Sequence, residues 1–229
     1  MPLPASFAQF ETTTTTDQAF KVIKSAVIRL ELLPGSKISE AEVAKNLGIS
    51  RQPVRDAFYR LSELGFLNIR PQKATTVTLI SEQALLDARF NRTALEVECL
   101  REAMRKMTAT DMDALKTLVA EQSDAIKVNN QLLFHELDDQ LHKTIAEIAG
   151  HPNAWCLVKN QKVHLDRVRY MTLSKRAEIA HQEHVQIVES ICNRDLAQAE
   201  ERLRAHLYSV VRLVEDVRKA HPEYFDDAQ

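Results

Sequence analysis

The sequence predicts a mainly α-helical protein in two parts: three short helices followed by a β-hairpin, and then a larger part built of helices alone. Three observations support this fold class. Apolar residues recur at helical spacing over most of the 229 residues. The two short β-rich runs lie between residues 66 and 80. Three of the four glycines, which favour tight turns, also fall before residue 80: Gly35, Gly48 and Gly65.

The first helix is expected to begin near Asp17. Residues 1–16 end in a run of threonines without an apolar face, so they are predicted to form a flexible arm. Apolar residues then recur at positions i, i+3, i+4 and i+7, as Ile23, Ala26, Val27 and Leu30. The Pro34–Gly35 pair forces the turn that follows this helix.

The next two helices are marked by their termini. The second spans residues 40–46, where Ser39 and Glu42 stand at the spacing of a capping box and Gly48 ends the helix. The third follows Ser50, a predicted N-cap residue. Its apolar stripe consists of Val54, Ala57, Phe58 and Leu61.

Two β-rich runs, residues 66–70 and 75–80, come after Gly65, which ends the third helix. The turn residues of segment 71–74 separate the runs and predict a hairpin. Three helices followed by a hairpin form a winged helix-turn-helix. We therefore expect this domain to span residues 17–80.

The second part begins at Ser81, another predicted N-cap residue. Helical periodicity then covers about 81–107, 109–127, 130–149, 152–173, 175–192 and 195–219. We expect an all-α antiparallel bundle over residues 81–221 and a C-terminal tail over residues 222–229.

Composition and charge exclude several classes of protein. The chain has 45% hydrophobic and 27% charged residues, an ordinary globular composition without the long apolar run of a membrane span or a secretory signal. The expectation is a cytoplasmic protein with no membrane partner. Residues 1–80 carry ten Lys and Arg against seven Asp and Glu, which gives a net charge of +3. Because the whole chain has a net charge of −2, residues 81–229 have a net charge of −5. This asymmetry favours a polyanion-binding N-terminal domain.

The polar face of the third helix suits DNA. It carries Arg51, Gln52, Arg55, Tyr59 and Arg60. Arginine can pair with guanine and glutamine with adenine, and a recognition helix presents its first turns to base edges. For an isolated helix a solvated charged face is the alternative interpretation, but the position within a winged helix-turn-helix favours DNA.

Two stretches resemble the DNA-binding domain of the GntR family of bacterial transcription regulators. Residues 33–40 read LPGSKISE, and residues 47–55 read LGISRQPVR. The resemblance spans about residues 18–80. Two positions depart from the family pattern, because Ala41 stands where another arginine is common and Ala74 stands where the wing tip commonly has glycine.

The resemblance implies DNA contacts at named positions. Arg51 and Arg55 correspond to the arginines that contact the operator, with Ser50 and Gln52 as supporting contacts. Lys73 is the expected wing contact to phosphate or to the minor groove.

Four polar residues on apolar helical stripes of the second part are candidate metal ligands: Asp138, His142, His184 and His206. Burying such side chains costs free energy unless they have a partner, and Asp138 and His142 share one helix face at i and i+4. A core hydrogen-bonded pair is the alternative for these two residues. Imidazole and carboxylate suit a divalent metal ion, Zn or Ni first and Mn or Fe next. His181 is the rival ligand.

The same residues lie in stretches that resemble the metal-carrying C-terminal domain of the FadR subfamily of GntR regulators. The stretches are LDDQLH at residues 137–142, EH at 183–184 and RAHL at 204–207. The resemblance covers about residues 82–219 and implies that the four candidates hold the metal. Leu141 replaces the phenylalanine that is usual there.

Arg92 is predicted to point into the bundle, because it lies on an apolar stripe of its helix. A buried pair with Glu96, one turn away, is the alternative interpretation. Residues 92–96 match the family pattern Arg-x-x-Leu-Glu, which implies that Arg92 reaches the carboxylate of an effector. Further pocket candidates, which surface packing would explain equally well, are Arg89, Arg167, Arg169 and Tyr170.

The sequence thus predicts a homodimeric, metal-containing transcription regulator, not an enzyme. It would bind double-stranded operator DNA and sense a small organic acid or sugar acid. One alternative is a regulator whose metal is structural or is itself the signal, without an organic effector. A second is a metallohydrolase, which is disfavoured because the chain has no His-Glu-x-x-His motif and no assignable general base.

Overall fold

The computed structural model describes residues 14–226, apart from the side chains of residues 163 and 173–175. It confirms the mainly α-helical fold with a small antiparallel sheet. The helices are α1 (Thr15–Ile28), α2 (Glu40–Leu47), α3 (Arg51–Glu63), α4 (Glu82–Lys106), α5 (Ala109–Lys127), α6 (Gln131–Ile148), α7 (Pro152–Gln161), α8 (Val163–Cys192) and α9 (Leu196–Ala220). The strands are β1 (Lys37–Ile38), β2 (Leu67–Asn68) and β3 (Thr75–Val77). The chain divides after Thr78 into two compact units.

Helix α1 begins earlier than its apolar periodicity predicts. The Asp17 backbone N–H donates to Thr14 Oγ1, and the Thr14 backbone N–H donates to Asp17 Oδ2, so the two residues form a capping box. The end of the segment predicted as an arm therefore belongs to the helix, because threonine caps a helix whether or not an apolar face is present. Residues 1–13 of that arm lie outside the described residues.

Ser39 and Ser50 precede α2 and α3 as predicted, but neither side chain caps its helix. The capping box expected between Ser39 and Glu42 is wrong, because only the backbone carbonyl of Ser39 accepts a helical hydrogen bond, from Val43 N–H. Gly48 ends α2 with a φ of 67°, in the left-handed region that glycine tolerates.

The sheet of the first unit has three strands in the order β1-β3-β2. The predicted hairpin pairs β2 with β3, but its strands are shorter than the β-rich runs at 66–70 and 75–80. Strand β1 was not predicted. It pairs Lys37 with Thr76 in antiparallel register, and two residues are too few to show a strand periodicity.

The second unit contains α4 to α9, and its helix boundaries follow the predictions except at one place. The sequence predicts helices over 152–173 and 175–192, whereas the break occurs at Lys162 and α8 then runs for 30 residues. Lys162 is buried, and its Nζ donates to Asp139 Oδ1 and Asp166 Oδ1, each at 2.7 Å. A buried ion-pair network accompanies the break, which no glycine or proline marks in the sequence.

The segment predicted as a C-terminal tail is packed on this unit as far as residue 226. Phe225 is buried among apolar side chains that include Leu165 and Val214. The Ile80 N–H donates to the Tyr224 carbonyl at 2.8 Å, so the segment also pairs with the start of the unit. The apolar phenylalanine explains the difference, and residues 227–229 lie outside the described residues.

The core of the second unit lies between α4, α5, α6, α8 and α9. Its fully buried members include Leu100, Leu115, Leu141, Ile191 and Leu203. Polar side chains from the same helices are buried beside this core and form the candidate site. Within the described residues, no helix is long and apolar enough to cross a membrane.

Candidate metal centre and DNA-binding surface

The structure brings together the four residues predicted as metal ligands. Helix α6 supplies Asp138 and His142, α8 supplies His184 and α9 supplies His206. One donor atom from each lies within 4.8 Å of the others, and all four side chains are buried. His184 Nε2 is 3.3 Å from His206 Nε2 and 3.5 Å from Asp138 Oδ1. His181, the rival ligand, lies outside this group, since its Nε2 contacts the Val119 carbonyl.

Each imidazole of the cluster is held by a hydrogen bond at Nδ1. The pairs are His142 with Glu96 Oε2 at 2.7 Å, His184 with Gln122 Oε1 at 2.9 Å, and His206 with Glu183 Oε2 at 2.8 Å. A carboxylate only accepts, so Glu96 and Glu183 require an Nδ1–H and leave the lone pair on Nε2. Gln122 donates its amide N–H to the Leu137 carbonyl, which leaves its oxygen facing His184.

In the Asp138 carboxylate, likewise, one polar atom is held by a neighbouring side chain and the other faces the cluster. Its Oδ2 forms an ion pair with Arg169 of α8, which leaves Oδ1 on the side of the histidines. Asp138 Oδ1 and His142 Nε2 are buried and have no hydrogen-bond partner among the described residues. Leaving such atoms without a partner is costly. The donor set of one carboxylate and three imidazole nitrogens therefore fits a divalent cation.

Electrostatics keep the cluster in the protonation states that a metal requires. Burial alone would raise the pKa of Asp138, but the Arg169 guanidinium beside it outweighs burial and holds that pKa well below its usual range. Burial, together with the neighbouring imidazoles, lowers the pKa of His184 and His206. At neutral pH Asp138 is thus a carboxylate, and His184 and His206 are neutral imidazoles.

A cavity of about 430 Å³, which includes space open to solvent, adjoins the cluster. Two ligand candidates, Asp138 and His206, form part of its wall. Three arginines line it, namely Arg92, Arg169 and Arg176, and the apolar part of the lining includes Phe134, Val210 and Leu213. A wall with convergent cations and an apolar side suits a small organic anion.

Of Arg92, Arg89 and Tyr170, which are predicted to bind the effector, only Arg92 lines this cavity. Arg92 lines it and also pairs with Glu96, Nε to Oε1 at 2.6 Å, so the pairing that the sequence left as an alternative is present. Arg89 and Tyr170 are not among the lining residues. Arg89 lies over the Tyr208 ring at 5.1 Å.

Arg176, Gln122 and the role of Glu183 are not predicted from the sequence, and Arg169 is predicted only as one of several further pocket candidates. A signal was available for the arginines. Arg169, Thr172 and Arg176 stand at i, i+3 and i+7, which is one face of α8, and all three line the cavity. No local signal marks Gln122, because its partner His184 lies 62 residues away in the chain.

In the first unit, α3 presents the predicted DNA-binding residues on its exposed side. Arg51, Gln52 and Arg55 are exposed, and Ser50 stands at the N-cap. The Gln52 amide donates to Asp56 at 2.9 Å, and Arg55 Nε lies 3.4 Å from Glu40 Oε2. The opposite face is fully buried, through Val54, Ala57, Phe58 and Leu61. Lys73 is exposed in the turn between β2 and β3.

Arg60, which the sequence grouped with this surface, has a structural partner instead. Its Nη1 lies 2.7 Å from Asp17 Oδ1, and its guanidinium lies over the Phe20 ring at 4.4 Å. Arg60 therefore ties α3 to α1, because Asp17 and Phe20 both belong to the first helix.

Comparisons with known proteins agree with this architecture. Residues 15–77 match the model of bacterial regulatory proteins of the gntR family, and residues 86–209 match the FCD domain. The HTH-type transcriptional repressor RspR of Escherichia coli K12 is 31% identical over 212 residues, 92% of this chain and 93% of RspR. An HTH-type transcriptional regulator in an unstable DNA locus of Streptomyces ambofaciens is 28% identical over 221 residues, 95% of this chain and 92% of that protein.

Solved structures show the same fold at low sequence identity. McbR/YncC of E. coli superposes with a TM-score of 0.76 at 18% identity, covering 90% of this chain and 100% of that chain. Lar, which controls the expression of the Listeria monocytogenes agr system, gives a TM-score of 0.61 at 14% identity, covering 91% and 99%.

These matches define what kind of protein this is. GntR regulators bind operator DNA, and FCD domains bind small-molecule effectors and are associated with metal binding. The relatives are transcription regulators, which are not enzymes. The chain therefore belongs to the GntR family of bacterial transcription regulators, in the FadR-like subfamily that carries an FCD domain.

Proposed function

We propose that this regulator holds a divalent metal ion at Asp138, His142, His184 and His206 and senses a small organic acid in the adjoining cavity. One observation carries the proposal. Four donor atoms from three helices converge in a buried cluster, while a hydrogen bond or an ion pair holds the other polar atom of each side chain. Such outer partners are typical of metal sites, where they orient the ligands.

The bound ion would supply Lewis acidity for an anion in the cavity. Four protein ligands leave two positions of an octahedral ion for water or for ligand oxygens. The mixed nitrogen and oxygen donor set suits Zn²⁺ or Ni²⁺, and Mn²⁺ and Fe²⁺ are further candidates. Asp138 and His206 belong both to the cluster and to the cavity wall, so an anion in the cavity would reach the ion.

The effector is a small organic acid or sugar acid. Arg92, Arg169 and Arg176 provide guanidinium groups for its charge, and they replace Arg89 and Tyr170 in the binding set. The apolar wall at Phe134 would pack against its carbon atoms. Effector binding would then change the affinity for DNA, and by thermodynamic linkage DNA binding would change the affinity for the effector by the same factor.

The DNA-binding surface is the exposed side of α3 together with the hairpin. Arg51 and Arg55 would contact base edges, with Ser50 and Gln52 as supporting contacts and Lys73 at the phosphate backbone or minor groove. The protein would act as a homodimer on a palindromic operator, since two-fold proteins match two-fold half-sites.

The proposal is tested by melting the protein with and without Zn²⁺ in the presence of acetate, glycolate, malonate or gluconate. We expect at least one acid to raise Tm further in the zinc-loaded protein, and the gain to disappear in Arg92→Ala but not in Arg89→Ala. A metal that raises Tm while no acid adds to it would support the alternative, a structural or signalling metal without an organic effector.

A further inference from the structure

Two glutamates connect the arginines of the cavity to the histidines of the cluster. We propose that Glu96 and Glu183 are positioning residues that couple anion binding to metal binding, so that each ligand strengthens the other. This inference rests on the proposed function, because it requires that the protein bind both a metal ion and an organic anion.

The first connection runs through Glu96, which is buried on α4. Glu96 accepts hydrogen bonds from Arg92, Nε to Oε1 at 2.6 Å and Nη2 to Oε2 at 3.4 Å. Its Oε2 also lies 2.7 Å from His142 Nδ1. One carboxylate is thus shared between an arginine of the cavity wall and a histidine of the cluster.

The second connection repeats this arrangement with other helices. Arg176 Nη2 lies 3.5 Å from Glu183 Oε1, and Glu183 Oε2 lies 2.8 Å from His206 Nδ1. Arg176 also donates to Ser209 Oγ at 2.6 Å, which keeps its guanidinium beside the cavity. Two independent arginine–glutamate–histidine chains therefore lead from the cavity to the cluster.

A shared carboxylate makes the two binding events cooperative. A cation on Nε2 of an imidazole makes its Nδ1–H a stronger donor, so the glutamate is drawn toward the histidine and away from the arginine. The guanidinium then interacts more strongly with an anion in the cavity. In the reverse direction, an anion on the arginine leaves more of the glutamate charge to the histidine, which becomes a better ligand. Thermodynamic reciprocity requires the two effects to be equal.

The third histidine supplies an internal comparison. Gln122 holds His184 as the glutamates hold the other two, but it is neutral and its amide N–H donates to the Leu137 carbonyl. In the described part of the chain, no arginine of the cavity wall is hydrogen-bonded to Gln122. Weakening the Gln122 contact should therefore lower metal affinity without changing the coupling to the anion.

The experiment measures the Kd of Zn²⁺, in a chelator buffer that fixes free Zn²⁺, without and with a saturating carboxylate. The carboxylate is whichever of acetate, glycolate, malonate and gluconate gives the largest rise in Tm. The ratio of the two Kd values is the coupling factor, which we expect to be about fivefold or more in the wild-type protein. Glu96→Gln and Glu183→Gln keep the shape of the side chain and one acceptor oxygen but remove its charge and its second acceptor.

We expect each glutamate variant to lower the coupling factor, and the double variant to lower it to about twofold or less, the remainder being direct contact of the anion with the ion. Gln122→Leu should weaken Zn²⁺ binding but leave the coupling factor at its wild-type value. Glu183 is partly exposed, so its variant remains informative if Glu96→Gln fails to fold. An unchanged factor in a folded Glu183→Gln protein, or an equal loss in Gln122→Leu, would overturn the coupling alone. If no carboxylate or no Zn²⁺ binds the wild-type protein, both proposals fall.

Discussion

Arg169 of α8 forms a buried ion pair with Asp138 of α6, on the carboxylate oxygen that does not face the histidines. Both side chains are largely withdrawn from water, at 11% and 0% exposure. The pair joins the candidate metal cluster to the wall of the cavity, since Arg169 lines that cavity. The arginine therefore needs the charge of the aspartate, and so would a metal ion at the proposed site.

Asp138→Asn should destabilise the protein even without metal. The substitution leaves the Arg169 charge with only the more distant carboxylates of Asp139 and Asp166, at 3.8 and 3.9 Å. Breaking a buried pair in this way costs about 3–5 kcal/mol. Urea unfolding of the metal-free protein measures the loss. Asp124→Asn is the control and should cost under about 1 kcal/mol, because Asp124 is exposed on α5 and its pair with Lys127 lies on the surface. An equal loss of unfolding free energy in the two variants would show that the Asp138–Arg169 pair does not stabilise the protein as argued.

Arg55→Ala should weaken operator binding, whereas Arg60→Ala should not. Both arginines lie on α3, but Arg55 has only a 3.4 Å contact with Glu40, whereas Arg60 lies 2.7 Å from Asp17 and over the Phe20 ring. Loss of a base contact costs about 1–3 kcal/mol, roughly 5- to 150-fold in Kd. Fluorescence anisotropy with a selected operator fragment, at fixed salt, measures this. A loss of affinity in Arg60→Ala as large as in Arg55→Ala would contradict the division of this helix surface.

The ion pair between Asp17 and Arg60 should make the stability of the first unit depend on pH in the acidic range. The hydrogen bonds from Arg60 and Thr14 lower the pKa of Asp17 from 3.8 to about 2. A carboxyl group with a lowered folded-state pKa stabilises the fold above its unfolded-state pKa, and this stabilisation is lost as pH falls from about 4 to about 2. The Tm difference between wild type and Asp17→Asn should be constant above about pH 5 and shrink toward pH 2. A difference that does not change with pH would refute the assignment.

Phe225→Ala should destabilise the second unit by about 3–5 kcal/mol, as large-to-small substitutions of buried phenylalanine do. Phe225 is 5% exposed, and its neighbours come from the helical bundle and from Ile80. Asp226→Ala is the control, because Asp226 contributes only a backbone N–H to the Ile80 carbonyl. Chemical denaturation measures both variants. A loss under about 1 kcal/mol in Phe225→Ala would mean that the segment behaves as the tail that the sequence predicts.

The sequence predicts well which side chains share a face of one helix, and it predicts poorly which side chains of different helices are in contact. Asp138 and His142 share a face at i and i+4, so their common direction follows from helix geometry alone. That His184 and His206 meet them depends on packing between helices, so this prediction also needed their positions on apolar stripes and the family resemblance. The partners of the imidazoles were not predicted for the same reason: Gln122 and His184, for example, lie on different helices.

Similar limits explain the errors in the fold. Strand β1 has two residues, which is too short for any periodic signal. The break at Lys162 carries no glycine or proline and coincides with ion pairs to Asp139 and Asp166. The burial of Phe225 depends on residues that precede it by more than 10 positions, and on Ile80. These three errors arise where contacts between residues distant in the chain determine the structure, whereas the errors at the start of α1 and at the Ser39 cap are local.

The metal content of the purified protein tests the central claim most directly. Elemental analysis after reconstitution with Zn²⁺ or Ni²⁺ should find one ion per chain in the wild type and in His181→Ala, and almost none in the His142→Ala/His184→Ala double variant. His181 is the matched control, since it lies on α8 near the cluster but contacts the Val119 carbonyl. Absence of metal from the reconstituted wild type, or full occupancy in a folded double variant, would contradict the four-ligand site.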